Sequence, residues 1–245
     1  MNSSFPFAGK RIAVTGGARG IGKGVSERFA GAGASVFLLD IDGEEVALAA
    51  EAIPRATAVH LDVADGPATE SFFAAQAPFD VVVANAGVSL PKAAAVDTSN
   101  ETWDWLIDNN LKGAFNTMRS GAAAMLAHGR PGRIIVTSSV AGLTAEPGYS
   151  VYAAAKWGLM GLVKSMAMEL APSGILVNGV CPGDVRTGFL DATAGSDVYS
   201  GALGRPAGIA EMTGIYLWLA GPEASYAVGE MVVLDGGLSL SAMAQ

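Results

Sequence analysis

The chain has 245 residues, 51% of them hydrophobic and only 16% charged, with 32 scattered glycines. That supplies enough apolar material for one packed domain, and it excludes a disordered or fibrous chain. A net charge of −8 with no cluster of Lys and Arg argues against a nucleic-acid partner, because binding to a phosphate backbone needs clustered cations.

Apolar β-rich runs alternate with helical patterns along the chain. Arg11 to Thr15 (RIAVT) predicts a first strand, Ile21 to Gly31 a helix, and Ser35 to Asp40 (SVFLLD) a second strand. Glu44 to Ala52 reads as helical, Ala56 to Leu61 as a short third strand, and Pro67 to Gln76 as a short helix. Asp80 to Ala84 (DVVVA) is the fourth strand, followed by a long helix from Thr102 to His128 with a bend near Asn110. Arg133 to Thr137 is a fifth strand, Val151 to Ala171 a second long helix stopped by Pro172, and Leu176 to Val180 a sixth strand. Gly208 to Leu219 is helical, and Met231 to Leu234 is the last strand.

Continuous Val/Ile/Leu runs are those of strands buried on both faces. Strand–helix alternation with right-handed crossovers then predicts an α/β fold: one Rossmann-type, doubly wound parallel sheet of seven strands with helices on both faces. The single domain spans residues 1–245. The least regular stretch, Gly188 to Arg205, is expected to cover a substrate. No uncharged apolar run reaches the roughly 18–20 residues that span a bilayer. Met1 to Arg11 lacks the basic start and apolar run of a signal peptide. The lone Cys181 excludes an intrachain disulfide. A cytoplasmic protein without a membrane partner is therefore expected. His60 and His128 are the only histidines, and they lack ligand spacing, so no metal site is expected.

Residues Thr15 to Gly22 (TGGARGIG) follow the first strand and open the first helix. Gly16 suits a tight turn, Gly20 lets the backbone approach a pyrophosphate, and Gly22 lets the helix pack on the sheet. The helix N-terminus, at Gly20 and Ile21, would face the phosphates with free N–H groups. The spacing is not that of the general dinucleotide fingerprint, and an ordinary glycine-rich turn is the bland alternative. Asp40 ends the second strand, where a carboxylate can accept from ribose hydroxyls and repel a 2′-phosphate. Arg19 pulls the other way, since a basic residue in the loop would favour that phosphate. NAD is favoured over NADP because Asp40 would set like charges in contact.

Tyr152 and Lys156 stand four apart at the start of a predicted helix (YAAAK), and so share one face. An ammonium beside a phenol stabilises the phenolate and makes Tyr a usable acid/base. A surface Tyr–Lys pair is the bland reading. However, Thr137, Ser138 and Ser139 end the fifth strand, where open α/β sheets bind ligands and a hydroxyl can stabilise developing oxyanion charge.

Taken together, these motifs resemble the short-chain dehydrogenase/reductase family, in the branch with chains of about this length. The match runs from Lys10 to Gly237. It includes TGGARGIG, Leu61–Asp62–Val63, Asn85–Ala86–Gly87, Asn110, Ser139, the Tyr152–Lys156 pair, and Pro182–Gly183 leading to Thr187. The resemblance implies that Tyr152 is general acid in reduction and base in oxidation. It implies that Lys156 lowers the Tyr152 pKa and binds the nicotinamide ribose, and that Ser139, rather than Ser138, polarises the substrate carbonyl. Asn110 would bend its helix and hold a water next to Lys156. Asp62 and Val63 would contact adenine, and Asn85, Ala86 and Gly87 would line the cleft. Pro182 and Gly183 would lead to Val185 and Thr187, which would hold the carboxamide. Ala84 replaces the first of two Asn that the family often carries before Ala-Gly.

The expected substrate is a small or medium secondary alcohol or ketone. Its pocket would draw on Ser89–Pro91, Leu143–Tyr149 and the Gly188–Arg205 loop, with Glu146, Tyr149, Phe189 and Tyr199 touching substrate and Arg186 adding polarity. The resemblance also implies a homotetramer, with a dimer next, built on the two long helices and the C-terminal strand and tail. Two other readings stay open: a dinucleotide-binding sensor or scaffold without turnover, and a nicotinamide-linked epimerisation or dehydration.

Overall fold

The structure, a computed structural model, describes residues 6–188 and 201–242. Seven strands form its sheet: β1 (Arg11–Thr15), β2 (Ser35–Asp40), β3 (Ala56–His60), β4 (Val81–Ala84), β5 (Gly132–Thr137), β6 (Ile175–Pro182) and β7 (Met231–Leu234). All six pairings are parallel, in the order β3-β2-β1-β4-β5-β6-β7. The order reverses direction between β1 and β4. Open α/β sheets leave a crevice at such a point, outside the carboxyl ends of the strands.

The helices are α1 (Gly20–Gly31), α2 (Gly43–Ala52), α3 (Gly66–Ala75), α4 (Asn100–Ile107), α5 (Gly113–Ala127), α6 (Ser150–Leu170), α7 (Ile209–Ala220) and α8 (Leu238–Ala242). They cover both faces, and each face has its own core. One core joins Val25 and Phe29 of α1 to Val46 of α2 and to Tyr216 and Leu219 of α7. The other joins Phe73 of α3, Met118 and Met125 of α5, and Leu159 and Val163 of α6. All of β4 is buried, as its unbroken VVVA run requires. No described helix is long and apolar enough to cross a membrane.

Two local outcomes differ from the sequence expectation. The long helix from Thr102 to His128 is divided into α4 and α5 by one turn of π-helix, Asp108–Lys112, centred on Asn110. Asn110 opens the ladder because its amide nitrogen donates to the Leu106 carbonyl, four residues back, and to the Val88 carbonyl on the loop after β4. β6 also runs on to Pro182, two residues past its expected end, and so carries Cys181 and Pro182 to the crevice.

Candidate active site

The glycine loop is shaped by neighbours that leave no room for side chains. Gly16 has φ +65°, and a Cβ there would lie 2.9 Å from Ala86 Cα. A Cβ on Gly22 would fall 2.0 Å from the Gly16 carbonyl oxygen. Asn85 binds this turn to the end of β4, its amide nitrogen donating to the Thr15 and Gly16 carbonyls at 3.1 and 3.2 Å. Thr15 Oγ1 accepts from the backbone N–H groups of Asn85 and Ala86. Thr15 and Asn85 thus join β1 and β4 across the switch point.

Gly20 is different: its φ is +57°, and among the described residues a Cβ would meet only the Thr187 side chain, no closer than 3.5 Å. Among the described residues, space is therefore open above the start of α1. Helices α2, α3 and α4 are capped by the side chains of Asp42, Asp65 and Ser99, whereas the N-terminus of α1 has no side-chain cap. Uncapped N–H groups beneath open space, on the positive end of a helix, fit a diphosphate. Thr187 lies across this space; its hydroxyl donates to the carbonyl of Val185, which is itself buried.

Both Asp40 oxygens are in use: Oδ2 accepts from Ala18 N at 3.0 Å and Oδ1 from Asp42 N at 3.1 Å. The carboxylate is thereby fixed at the tip of β2. Arg19 forms an ion pair with Asp42, so two carboxylates and one guanidinium share this corner. Further along, Asp62 Oδ1 accepts from Ala64 N. Val63 is buried against the bare Cα of Gly113, where a Cβ would approach it to 2.6 Å. A Cβ on Gly183 would strike Asp235 Cα at 2.8 Å, which lets the chain after Pro182 pass close to the end of β7.

The proposed catalytic side chains meet where β4, β5 and α6 converge. Lys156 is 4% exposed; its Nζ donates to the Thr137 carbonyl at 3.3 Å and lies 5.4 Å from the Tyr152 ring centroid. A Cβ on Gly87 would lie 2.8 Å from Asn110 Oδ1 and 3.5 Å from Lys156 Nζ, so these two groups border the same glycine. Ser139 is within hydrogen-bonding reach of the Tyr152 hydroxyl, and its own Oγ accepts from Ala141 N. Ser138 instead donates to the Lys156 carbonyl and is buried. Asn110, Ser139, Tyr152 and Lys156 are therefore gathered in one place, with Ser138 beneath them.

Burial dominates the electrostatics. Desolvation pushes the Tyr152 phenol up to about 12; the Ser139 hydrogen bond acts against this and nearby Tyr149 adds to it. Desolvation pushes Lys156 down to about 8. The Tyr152 phenol thus lies above its ordinary value, with burial as the largest cause and the Ser139 hydrogen bond acting against it.

The substrate side is partly described. Tyr149 tilts against Tyr152 with centroids 5.9 Å apart. Glu146 forms an ion pair with Lys92, whose ammonium sits 5.4 Å from the Tyr149 ring centroid. Lys92 was missed in the sequence, where nothing connected the loop after β4 to the one before α6. Arg186 is exposed. Phe189 and Tyr199 lie outside the described residues. Among the described residues no group of three or more His, Cys, Asp or Glu could hold a metal ion.

Comparison with known proteins agrees with this fold. A family model described as enoyl-(acyl carrier protein) reductase matches residues 16–239. The 3-alpha-(or 20-beta)-hydroxysteroid dehydrogenase of Mycobacterium bovis is 38% identical over 234 residues, covering 94% of this chain and 89% of the relative. A short-chain type dehydrogenase/reductase from Mycobacterium marinum has a solved structure similar at TM-score 0.89 and 32% identity, over 96% of this chain and 98% of that one. Carveol dehydrogenase from Mycobacterium avium, solved with NAD, gives 0.88 and 30% over 96% and 99%. A protein from Beutenbergia cavernae described as an NAD(P) dependent gluconate 5-dehydrogenase, solved with NADP, gives 0.89 and 32% over 98% and 100%. With its motifs, its seven-stranded parallel sheet and these matches along nearly its whole length, the chain belongs to the short-chain dehydrogenase/reductase family.

Proposed function

We propose that the protein is an NAD(P)-dependent oxidoreductase that interconverts a small or medium secondary alcohol and its ketone, with Tyr152 as general acid/base. The observation that carries this reading is the convergence of the Ser139 and Tyr152 hydroxyls beside a buried Lys156. Two donors aimed at one point suit a single oxygen, which a carbonyl presents and a carbon–carbon double bond does not. This favours carbonyl reduction over the enoyl reduction named in the matching family model. Names of the relatives, a hydroxysteroid and a carveol dehydrogenase, point the same way.

The dinucleotide would lie along the crevice, its diphosphate over Gly20 and the N-terminus of α1. Asp40 would face the adenosine ribose, Val63 the adenine, and Asn85 to Gly87 the middle of the cleft. Val185 and Thr187 would hold the carboxamide, and Lys156 the nicotinamide ribose. When bound, the nicotinamide would donate or accept the hydride. In reduction Ser139 donates a hydrogen bond to the carbonyl oxygen, and Tyr152 passes its proton to that oxygen as charge develops there. Lys156 stabilises the resulting phenolate, and Asn110 keeps the π turn that borders Gly87. In oxidation the proton moves the other way.

NAD is the cofactor we favour. Arg19 is already paired with Asp42, and Asp40 stands unopposed at the position a 2′-phosphate would approach. The residues 188–205 are proposed to cover the substrate.

The test is absorbance of reduced nicotinamide with NAD or NADP and a panel of secondary alcohols, with Tyr152→Phe as control. NAD reduction that disappears in the variant supports the proposal. Tight NADH binding with no turnover across the panel would favour a dinucleotide-binding scaffold.

A further inference from the structure

Lys156 is held from a direction the catalytic motifs do not include. Tyr216, on α7, is fully buried in the core on the α1 side of the sheet. Its hydroxyl lies 2.8 Å from Thr137 Oγ1. Thr137 is the last residue of β5, and its carbonyl accepts the Lys156 ammonium at 3.3 Å. The next residue, Ser138, donates from Oγ to the Lys156 carbonyl at 3.1 Å and from its backbone to the Val180 carbonyl at 2.8 Å. The end of β5 thus grips Lys156 by both its ammonium and its main chain, and Tyr216 anchors that strand end from the opposite face.

We propose that Tyr216, acting through Thr137, is a positioning residue for Lys156, fixing the carbonyl that receives the lysine ammonium. Packing alone does not call for these hydroxyls. A Phe–Val pair would fill nearly the same volume without burying two polar groups, each costly unless paired. What the polar pair adds is orientation: one hydrogen bond fixes the Thr137 rotamer and, with it, the end of the strand. Among the described residues the Thr137 carbonyl is the hydrogen-bond acceptor that the Lys156 side chain has, so its placement bears directly on the lysine's charge.

The direction of the effect follows. An acceptor favours the charged ammonium, and burial opposes it. Loosening the Thr137 carbonyl leaves burial less opposed, so Lys156 gives up its proton at lower pH. Among the described residues, the titratable groups facing Lys156 are Tyr152 on its own helix and Cys181 on β6. Burial holds Cys181 up at about 11 and Tyr152 at about 12, so both stay neutral while Lys156 titrates near 8. From the α4–α5 side the facing residue is Asn110, which does not titrate.

The inference rests on reading Tyr152 and Lys156 as the acid/base pair, and its test does not require turnover. Lysine labelled with 13C at Cε is titrated by NMR in the intact protein, with Lys156 assigned by Lys156→Met. We expect a midpoint near pH 8 in the native chain. Tyr216→Phe and Thr137→Val should each lower it by about half a unit or more, and the double variant should go no further, because both break one link. Thr137→Ser, which keeps the hydroxyl, should stay at the native midpoint. In active enzyme the alkaline limb of ketone reduction should move with the midpoint. A native midpoint at the ordinary lysine value, or midpoints unmoved in Tyr216→Phe and Thr137→Val, overturns the proposal. A reduced melting temperature with unmoved midpoints marks the pair as structural only. If Tyr216→Phe does not fold, the contrast between Thr137→Val and Thr137→Ser decides alone. Absence of turnover in every protein, with the midpoints moving as expected, would count against the enzyme reading and not against this one.

Discussion

With Tyr152 and Lys156 as the proposed acid/base pair, their protonation sets the expected pH dependence. A phenol held at about 12 is protonated at neutrality, which is the form that donates in ketone reduction. Reduction should therefore stay level through neutral pH and fall as Lys156 loses its charge near pH 8, because the phenolate left behind then lacks its counter-charge. Alcohol oxidation needs the phenolate, so its rate should rise with pH through the neutral range. Rate profiles in the two directions check this, and identical profiles would contradict it. Tyr152→Phe should reduce kcat by about 10²–10⁴-fold in both directions, the usual contribution of a positioned proton donor. We propose that Asp40 carries the cofactor preference. Its carboxylate and a 2′-phosphate would repel each other by about 1–3 kcal/mol at the effective dielectric of a protein surface. Asp40→Asn keeps an acceptor for Ala18 N, and should lower the ratio of kcat/KM for NAD over NADP by tenfold or more. An unchanged ratio would place cofactor selection elsewhere.

Among the secondary-structure elements, those built on a continuous apolar run were legible in the sequence, and those set by a tertiary partner were not. RIAVT, SVFLLD and DVVVA are short apolar runs that read as buried strands, and all three appear as strands of the sheet. The π turn is different. A bend near Asn110 was readable, but its form depends on Val88, a partner 22 residues away that no local pattern reveals. Asn110→Ala removes three hydrogen bonds and leaves the Val88 groups and the Leu106 carbonyl unpaired by that side chain. It should lower stability by about 1–3 kcal/mol and kcat together, read by denaturant unfolding and steady-state kinetics. Gly24 was missed altogether because it lies outside the glycine motif. A Cβ there would approach Ile209 Cγ2 to 2.3 Å, so this glycine sets how closely α1 and α7 pack. Gly24→Ala should cost about 1–3 kcal/mol through overpacking, although alanine is the better helix former. A more stable variant would mean that Ile209 moves aside freely. Thr137 was read at the end of the fifth strand, but Tyr216 and its contact with Thr137 were invisible for a related reason: the two residues lie 79 apart in the chain and meet only in the folded structure.

At the scale of the whole molecule, large apolar side chains are exposed in two areas of the surface. On α6, Trp157 and Met168 are 53% and 80% exposed, and Gly161 between them has open space where a side chain would stand. Their spacing of four and seven residues puts them on one stripe of the helix. Trp103 and Trp105 are exposed on α4, which packs against α6. A second area lies around β7, an edge strand of the sheet, where Tyr226, Val228, Val233 and Leu240 are exposed. An edge strand with apolar neighbours invites pairing unless something covers it. If each of these two patches packed on its own copy about a two-fold axis, the subunits would close into a tetramer with three perpendicular axes, whereas one patch alone would stop at a dimer. We therefore propose a homotetramer. Trp157→Glu places a charge in the α4–α6 patch and leaves the β7 patch untouched, so it should yield dimers held by β7, not monomers. Sedimentation velocity at micromolar concentration reads the difference. A native chain that sediments as a monomer would remove the proposal, and a variant that remains tetrameric would move the contact off α6.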